Sequence, residues 1–326
     1  MKRLFILASA LLALTANAQT IDPETVWTDG SSVYVLNVEL SSPSHLDYVG
    51  GTLHEGGLAF GLDRVNGKYI LSKTKTYDYD AEDGNTYFGP RTRLGYEVTL
   101  ETIGNRKLLV ARDEKGTITD VLEDLVGELY DKEIDDIHIA YAGEYVDYQK
   151  KSWTFGTDGT ITMPGKKATK YTIIDIYDMP SNIITVDNKN FMEIEVSTTG
   201  LNIYECNYDS ENEDSNRGKL IAKLRRKSSP FGEGLCPYTS TMLINASLIG
   251  YYDNKMLRIV RNEIWARHGY RFSSADLQEY FNKQSWYKPV DDNSTIELSP
   301  LEKMNIAIIK SLEDYNRDWV TTEQGL

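Results

Sequence analysis

Between residue 30 and about residue 225, apolar and polar positions alternate in short runs broken by glycine-bearing turns. In "LAFGLDRVNGKYIL", Asn66-Gly67 separates two alternating runs, as a two-residue hairpin turn requires. "YEVTLETIGNRKLLVARDEKGTITDVL" turns at Gly104-Asn105 and again at Glu114-Lys115-Gly116, and "SWTFGTDGTITM" turns at Asp158-Gly159. "YTIIDIYDMPSNIITVD" and "FMEIEVSTTGLNIYECNY" continue the pattern, and "DSENEDSNRG" from Asp209 reads as a solvated hairpin loop. Period-two alternation with frequent turns predicts an antiparallel meander closed into a barrel or folded into a sandwich.

Two short echoes suggest that this β region is double. "YVGGTL" at Tyr48 is answered by "YAGEYV" at Tyr141, and "GKYIL" at Gly67 by "TKYTII" at Thr169. The division falls in "LVGELYDKEIDD", which reads as a polar connector, and gives β-rich units at 19–130 and 131–225. After Leu224 the run "RRKSSPFGEGLCP" replaces alternation with basic residues, serine, proline and glycine, a linker over 226–238.

Beyond it, over 239–320, the apolar period becomes helical. Asp253 is placed to cap a helix whose stripe is Leu257, Val260, Ile264 and His268, and Gly269 supplies its stop. A second helix is expected from Ser273, with Asp276 completing a capping box and Leu277, Tyr280 and Phe281 turned inward. The third has the clearest start: Ser299, Pro300 and Glu302 occupy the cap, first and third positions. Its stripe is expected to run Leu301, Met304, Ile308, Leu312, Tyr315 and Trp319. The expected class is therefore α+β multidomain: antiparallel barrel or sandwich units followed by a small three-helix domain.

The N-terminus changes the picture of where this fold operates. Lys2 and Arg3 precede an apolar run from Leu4 to Leu14 and then Ala16-Asn17-Ala18, the pattern of a secretory signal cleaved near Ala18. That run is too short to span a bilayer, which takes about 20 residues. An exported protein is expected, periplasmic or extracellular and not integral to the membrane. The chain holds 35 Lys and Arg against 49 Asp and Glu, a formal net charge of −14. Such a surface repels phosphate backbones, so no nucleic-acid partner is expected. Two cysteines, Cys206 and Cys236, permit a disulfide across the β region and the linker without demanding one.

The segment from Leu243 to Glu313 resembles the YARHG domain family, whose motif is Trp265-Ala266-Arg267-His268-Gly269 here. "LRIVRNEIWARHGYRF" from Leu257, "LQEYFNKQSWYKP" from Leu277 and "LSPLEKMNIAIIKSLE" from Leu298 carry the resemblance in order. Trp265 stands where the motif has tyrosine, keeping an aromatic body and losing a hydroxyl. The resemblance implies a small helical module of exported bacterial proteins, found beside β-rich regions, that contacts the cell envelope and has no established catalytic residue.

Glu263 and His268 are five apart and do not share a helical face, so they do not form a metal pair. His45, His54 and His138 match no ligand spacing, and no zinc-protease, Cys-x-x-Cys or Gly-x-Ser-x-Gly motif occurs. No enzyme, metal or cofactor is expected. Asp78, Asp80, Glu82 and Asp83 lack the spacing of a calcium loop. Tyr69, Tyr77, Tyr79, Tyr87, Tyr96, Tyr141, Tyr145 and Tyr148 are expected to complete half-buried sheets. Glu263 and Arg267 are spaced for an exposed i, i+4 pair, and Arg261 for a carboxylate on the third helix, Glu302 or Glu313. For His268, packing with a satisfied hydrogen bond is the expected role. The ligand-contact candidates are Trp265, Arg267, His268, Arg271 and Trp286, with an envelope polymer as partner, since arginine forks and aromatic faces suit carboxylates and sugars. The alternative is a calycin-like carrier holding a small molecule in the β region.

Overall fold

The computed structural model describes residues 21–22, 25–28, 33–36, 41, 45–50, 57–80, 85–88, 91–125, 129–176, 179–249 and 252–323. The signal segment and His54 lie outside them, as do the side chains of Tyr77, Tyr79, Tyr87, Tyr315, Trp319 and the four candidate calcium acids. The chain divides into two compact units, residues 1–126 and 127–326.

The first unit is an antiparallel meander: β1 (Trp27–Thr28), β2 (Val33–Leu36), β3 (His45–Gly50), β4 (Gly57–Val65), β5 (Lys68–Asp80), β6 (Asn85–Phe88), β7 (Arg91–Ile103), β8 (Arg106–Arg112) and β9 (Ile118–Asp124). The expected turns at Asn66-Gly67, Gly104-Asn105 and Glu114–Gly116 are all present. The first strand pairs with the last, Trp27 opposite Asp124, and β5 pairs with both β4 and β7. Pairing therefore runs round a complete ring, with β6 attached outside it on β5. Alternate residues fill the interior, where Phe60 stacks on Tyr48 at 4.8 Å and meets the edge of Tyr34 at 5.3 Å. β8 departs from alternation, since Leu108, Leu109, Val110 and Ala111 are all buried, as in a strand covered on both faces.

The second unit repeats the plan with β10 (Gly143–Val146), β11 (Ser152–Phe155), β12 (Thr160–Thr162), β13 (Thr169–Lys170), β14 (Thr172–Ile176), β15 (Met179–Thr185), β16 (Phe191–Ser197), β17 (Gly200–Asp209) and β18 (Asp214–Ser228). Its first strand again pairs with its last, and β13 and β14 are the open ends of the ring, separated by Tyr171 alone. The fold is thus α+β with two antiparallel barrel-like sheets, followed by helices. Of the two echoes, "GKYIL" and "TKYTII" both lead into the fifth strand of their sheet, the first from a turn glycine and the second from the two-residue fourth strand β13. "YVGGTL" begins in the last residues of a third strand whereas "YAGEYV" runs from the end of a helix into a first strand, β10, so that echo is coincidental.

Two expected connectors are structured. "LVGELYDKEIDD" runs into helix α1 (Leu129–Tyr141), whose Ile137, Ala140 and Tyr141 enter the core; the acids that made it look like a connector occupy its other positions. In the stretch read as a linker, β18 continues to Ser228, and Leu235 and Cys236 are buried. The C-terminal region then contains α2 (Ala246–Ile249), α3 (Asn254–Arg267), α4 (Ala275–Asn282) and α5 (Pro300–Glu323). The one-turn α2 was too short to show a period. A single core joins barrel residues such as Phe155, Ile184 and Leu224 to Leu257, Ile264 and Ile309 of the helices. Among the described residues, no helix is long and apolar enough to cross a membrane.

Candidate functional site

The motif helix forms as expected at both ends. Asp253 accepts the Met256 N–H at 2.7 Å, and Leu257, Val260 and Ile264 are fully buried. Gly269 ends it with φ +83°, and a Cβ there would stand 2.5 Å from the Lys288 carbonyl oxygen, so glycine is required twice over.

The charges of this helix lead inward. Glu263, expected in an exposed pair, is 1% exposed. One of its oxygens accepts the Leu235 N–H at 2.6 Å, and the other accepts the Cys236 N–H at 2.9 Å and Arg267 Nη1 at 2.6 Å. A Cβ on Gly234, φ +120°, would stand 2.5 Å from that carboxylate, so glycine lets the backbone approach. Arg267 donates onward to the hydroxyls of Thr239 and Ser240. Ser240 donates to Glu302 Oε1 at 2.7 Å, and His268 Nε2 lies 2.8 Å from the same oxygen. The other Glu302 oxygen accepts the Ser299 N–H at 3.0 Å while Ser299 Oγ accepts the Glu302 N–H at 3.2 Å, a reciprocal capping box. Burial opposes ionisation of Glu302, but bonds from His268, the Ser299 N–H and Ser240 outweigh it and hold its carboxyl below the usual range. Arg261 pairs with Glu313 at 3.1 Å, one of its two expected partners.

The network reaches the barrel through one peptide. The Leu235 N–H goes to Glu263, while its carbonyl accepts Arg226 Nη1 at 2.6 Å. Arg226, on β18, also donates to Tyr145 Oη at 2.7 Å and to the Ala140 carbonyl at 3.2 Å. Both cysteines are free and buried. Cys236 Sγ accepts from Tyr238 Oη at 3.3 Å, and burial pushes its thiol up to about 11.

Two helix readings need correction. α4 is capped one residue later than expected, at Ser274, with no side-chain cap bond, because Arg258 engages both Ser274 and Asp276. Its Tyr280 is half-buried and donates to the Thr198 carbonyl at 3.3 Å. α5 buries a face turned from the expected stripe: Met304, Ala307 and Ile309 are covered with Glu302, Asn305 and Glu313, while Leu301, Ile308 and Leu312 are only partly so. Asn305 explains the turn, accepting the Ile244 N–H and donating to the carbonyls of Thr239 and Met242.

The five candidate contact residues separate. Arg267 and His268 belong to the internal network, their side chains 16% and 33% exposed. Trp265 is half-buried against the core with Tyr270 at 5.4 Å, and Trp286 lies in a satellite aromatic cluster with Phe281 and Tyr287. Arg271 is exposed, held by the Val290 carbonyl and by Asp291 at 3.1 Å. Of the other histidines, His45 lies 2.6 Å from Asp63 and His138 meets Tyr171 edge-on at 5.2 Å. Among the described residues no three His, Cys, Asp or Glu side chains converge to hold a metal.

Two concavities went unread in the sequence. One, of about 210 Å³, lies between α1, α2 and the barrel and is lined by Ile137, Tyr141, Leu248 and Tyr252 with Asn182, Glu195 and Arg217. Its charges are matched internally: Arg217 pairs with Glu193 and Glu195 and covers the Tyr204 ring at 4.4 Å. The other, on the barrel rim, includes Tyr148, which is 78% exposed in the turn after β10 and is not on a strand face as expected. Each is lined by segments far apart in sequence, from Ile137 to Tyr252 in the first and from Asp147 to Ala222 in the second, beyond the reach of a periodicity.

No curated protein and no solved structure matches the chain. The network just described, from Leu235 to Glu313, falls within residues 233–314, which match the model of the YARHG domain: a YARHG domain is present as the C-terminal region of this protein.

Proposed function

We propose that this is an exported, non-enzymatic binding protein whose YARHG domain contacts a component of the cell envelope. The observation that carries the reading is the division among the motif residues. Arg267 and His268 are tied to Glu263 and Glu302 inside the fold, whereas Arg271 presents a guanidinium at the surface beside Tyr270 and Phe272. The signal-like N-terminus and a domain thought to be extracellular support the location. Residues committed to a core network serve the fold, which leaves recognition to Arg271, Trp265 and Trp286.

The carrier alternative is less well supported. In the second unit, the large side chains of Tyr145, Phe155, Ile161, Ile184 and Leu224 fill the space in which an apolar ligand would sit.

Because the helices and the second barrel share one core, the test uses the whole chain without its first 18 residues. Pull-down on isolated cell-envelope polymers is expected to retain it, and Arg271→Ala with Trp265→Ala is expected to reduce retention at least tenfold at a temperature where the variant is still folded, its melt lowered only by the loss of the half-buried indole. Full retention of the double variant, or no retention of the parent, overturns the reading.

A further inference from the structure

The rim of the second barrel carries a groove of about 320 Å³ that the YARHG network does not use. That size is at the low end of the roughly 300–1,000 Å³ of ligand sites, which favour the mouths of β-barrels. Two turns and a strand build it. In the turn between β10 and β11, Asp147 Oδ1 accepts the N–H groups of Gln149 and Lys151 at 2.9 Å each, and Oδ2 lies 3.4 Å from Trp153 Nε1. The charge of Asp147 is therefore engaged within its own turn, which holds Tyr148 and Lys151 outward. In the turn after β12, the Lys166 N–H donates to the Met163 carbonyl at 3.0 Å, bringing Pro164 and Lys166 to the opposite wall. Ile221 of β18 closes the third side over Trp153.

The lining is chemically unusual for this molecule. The exposed large hydrophobic side chains among the described residues are Val35, Val65, Tyr148, Leu220 and Ile221; two line the groove and Leu220 precedes one of them. A tyrosine that is 78% exposed gains little from burial, so its ring is available as a flat apolar platform. Lys151 and Lys166 make no ion pair among the described residues, in a chain whose formal net charge is −14. These two lysines make a local positive spot in an acidic field, which favours an anion there. Lysine ammonium groups also accept a carboxylate without the fixed geometry of an arginine fork.

We infer that this groove binds a segment of an acidic polysaccharide, one sugar ring packed on Tyr148 and its carboxylate held between Lys151 and Lys166. A sugar offers an apolar C–H face to the ring and hydroxyl edges to Gln149 and Asp147, and the open rim lets a chain continue on either side. The inference concerns a different part of the molecule from the YARHG domain and does not rest on its proposed role.

The test is calorimetric titration of the chain lacking its first 18 residues with oligogalacturonate. Neutral malto-oligosaccharides of equal length and phosphatidylglycerol vesicles serve as the comparison ligands. Saturable binding of the uronate is expected, at least tenfold tighter than the neutral sugar and weakening as salt is raised. Tyr148→Ala, and separately Lys151→Glu with Lys166→Glu, are expected to weaken it at least tenfold with unchanged melts, these being exposed turn positions. Lys283→Ala, which removes an exposed lysine that belongs to neither proposed site, is expected to change it less than twofold. Absence of saturable uronate binding, equal binding of the neutral sugar, binding to vesicles alone, or an unchanged Tyr148→Ala variant each overturns the inference.

Discussion

The two β units share a strand plan and differ in how they are completed. The first closes its ring by pairing β4 with β5 and keeps its own core around Phe60, Tyr48 and Leu62. The second leaves β13 and β14 unpaired to each other and continues its core into α1 and the YARHG domain. One meander is finished by its own hydrogen bonds, the other by helices, α1 ahead of its strands and the rest after them. Where backbone pairing does not complete a barrel, side-chain burial and polar clamps such as Arg226–Leu235–Glu263 must do so.

That contrast breaks most sharply at Glu263. Glu263→Ala leaves Arg267 without its carboxylate and two N–H groups without an acceptor, and removing one partner of a buried pair costs roughly 3–5 kcal/mol. Two transitions are expected in a denaturant melt of the parent, and this variant is expected to lower only that of residues 127–326. Phe60→Ala, at about 3–5 kcal/mol for a buried ring, is expected to lower only the other. A single shared transition in either variant would show that the units do not unfold separately. The thiol of Cys236, buried in the second core, should become reactive to a thiol reagent only as that transition proceeds.

Acid sharpens the comparison at smaller scale. The folded-state pKa of Glu302 is depressed, so its stabilisation is present above the unfolded value of 4.5 and is lost as pH falls through the folded one. The second transition is expected to weaken below about pH 4.5, and Glu302→Gln to flatten part of that slope in melts taken from pH 7 to pH 3. Smallest is Arg258→Ala: its partner Asp276 is exposed, and the loss should stay under about 1 kcal/mol in the same assay.

Hairpin turns and helix caps were legible because their signals are local: Asn66-Gly67, Asp253 and Ser299 with Glu302 each act within four residues. The burial of Glu263 was not, since the N–H donors it accepts from, Leu235 and Cys236, are separated from it by 27 residues or more. The face of α5 was misjudged for a related reason. Counting apolar residues favoured Leu301 and Ile308, but Asn305 and Glu302 have fixed partners across the fold, and those partners set the helix's rotation. At the candidate site, sequence spacing paired Glu263 with Arg267 and offered Arg261 either Glu302 or Glu313, of which the fold uses Glu313, while the rim groove depends on strand closure that no window contains.

The Leu235 peptide, gripped by Arg226 on one side and Glu263 on the other, also imposes an order of events. A growing chain presents its N-terminal part first. The first barrel has every strand it needs once Asp124 has emerged. The second must wait, its last strand already made at Ser228, until Glu263 and then Ile309 have left the ribosome. During that interval the core side chains that join Leu257, Ile264 and Ile309 lack those partners, so a nascent chain stalled before residue 309 is expected to be the form of this protein most in need of a chaperone.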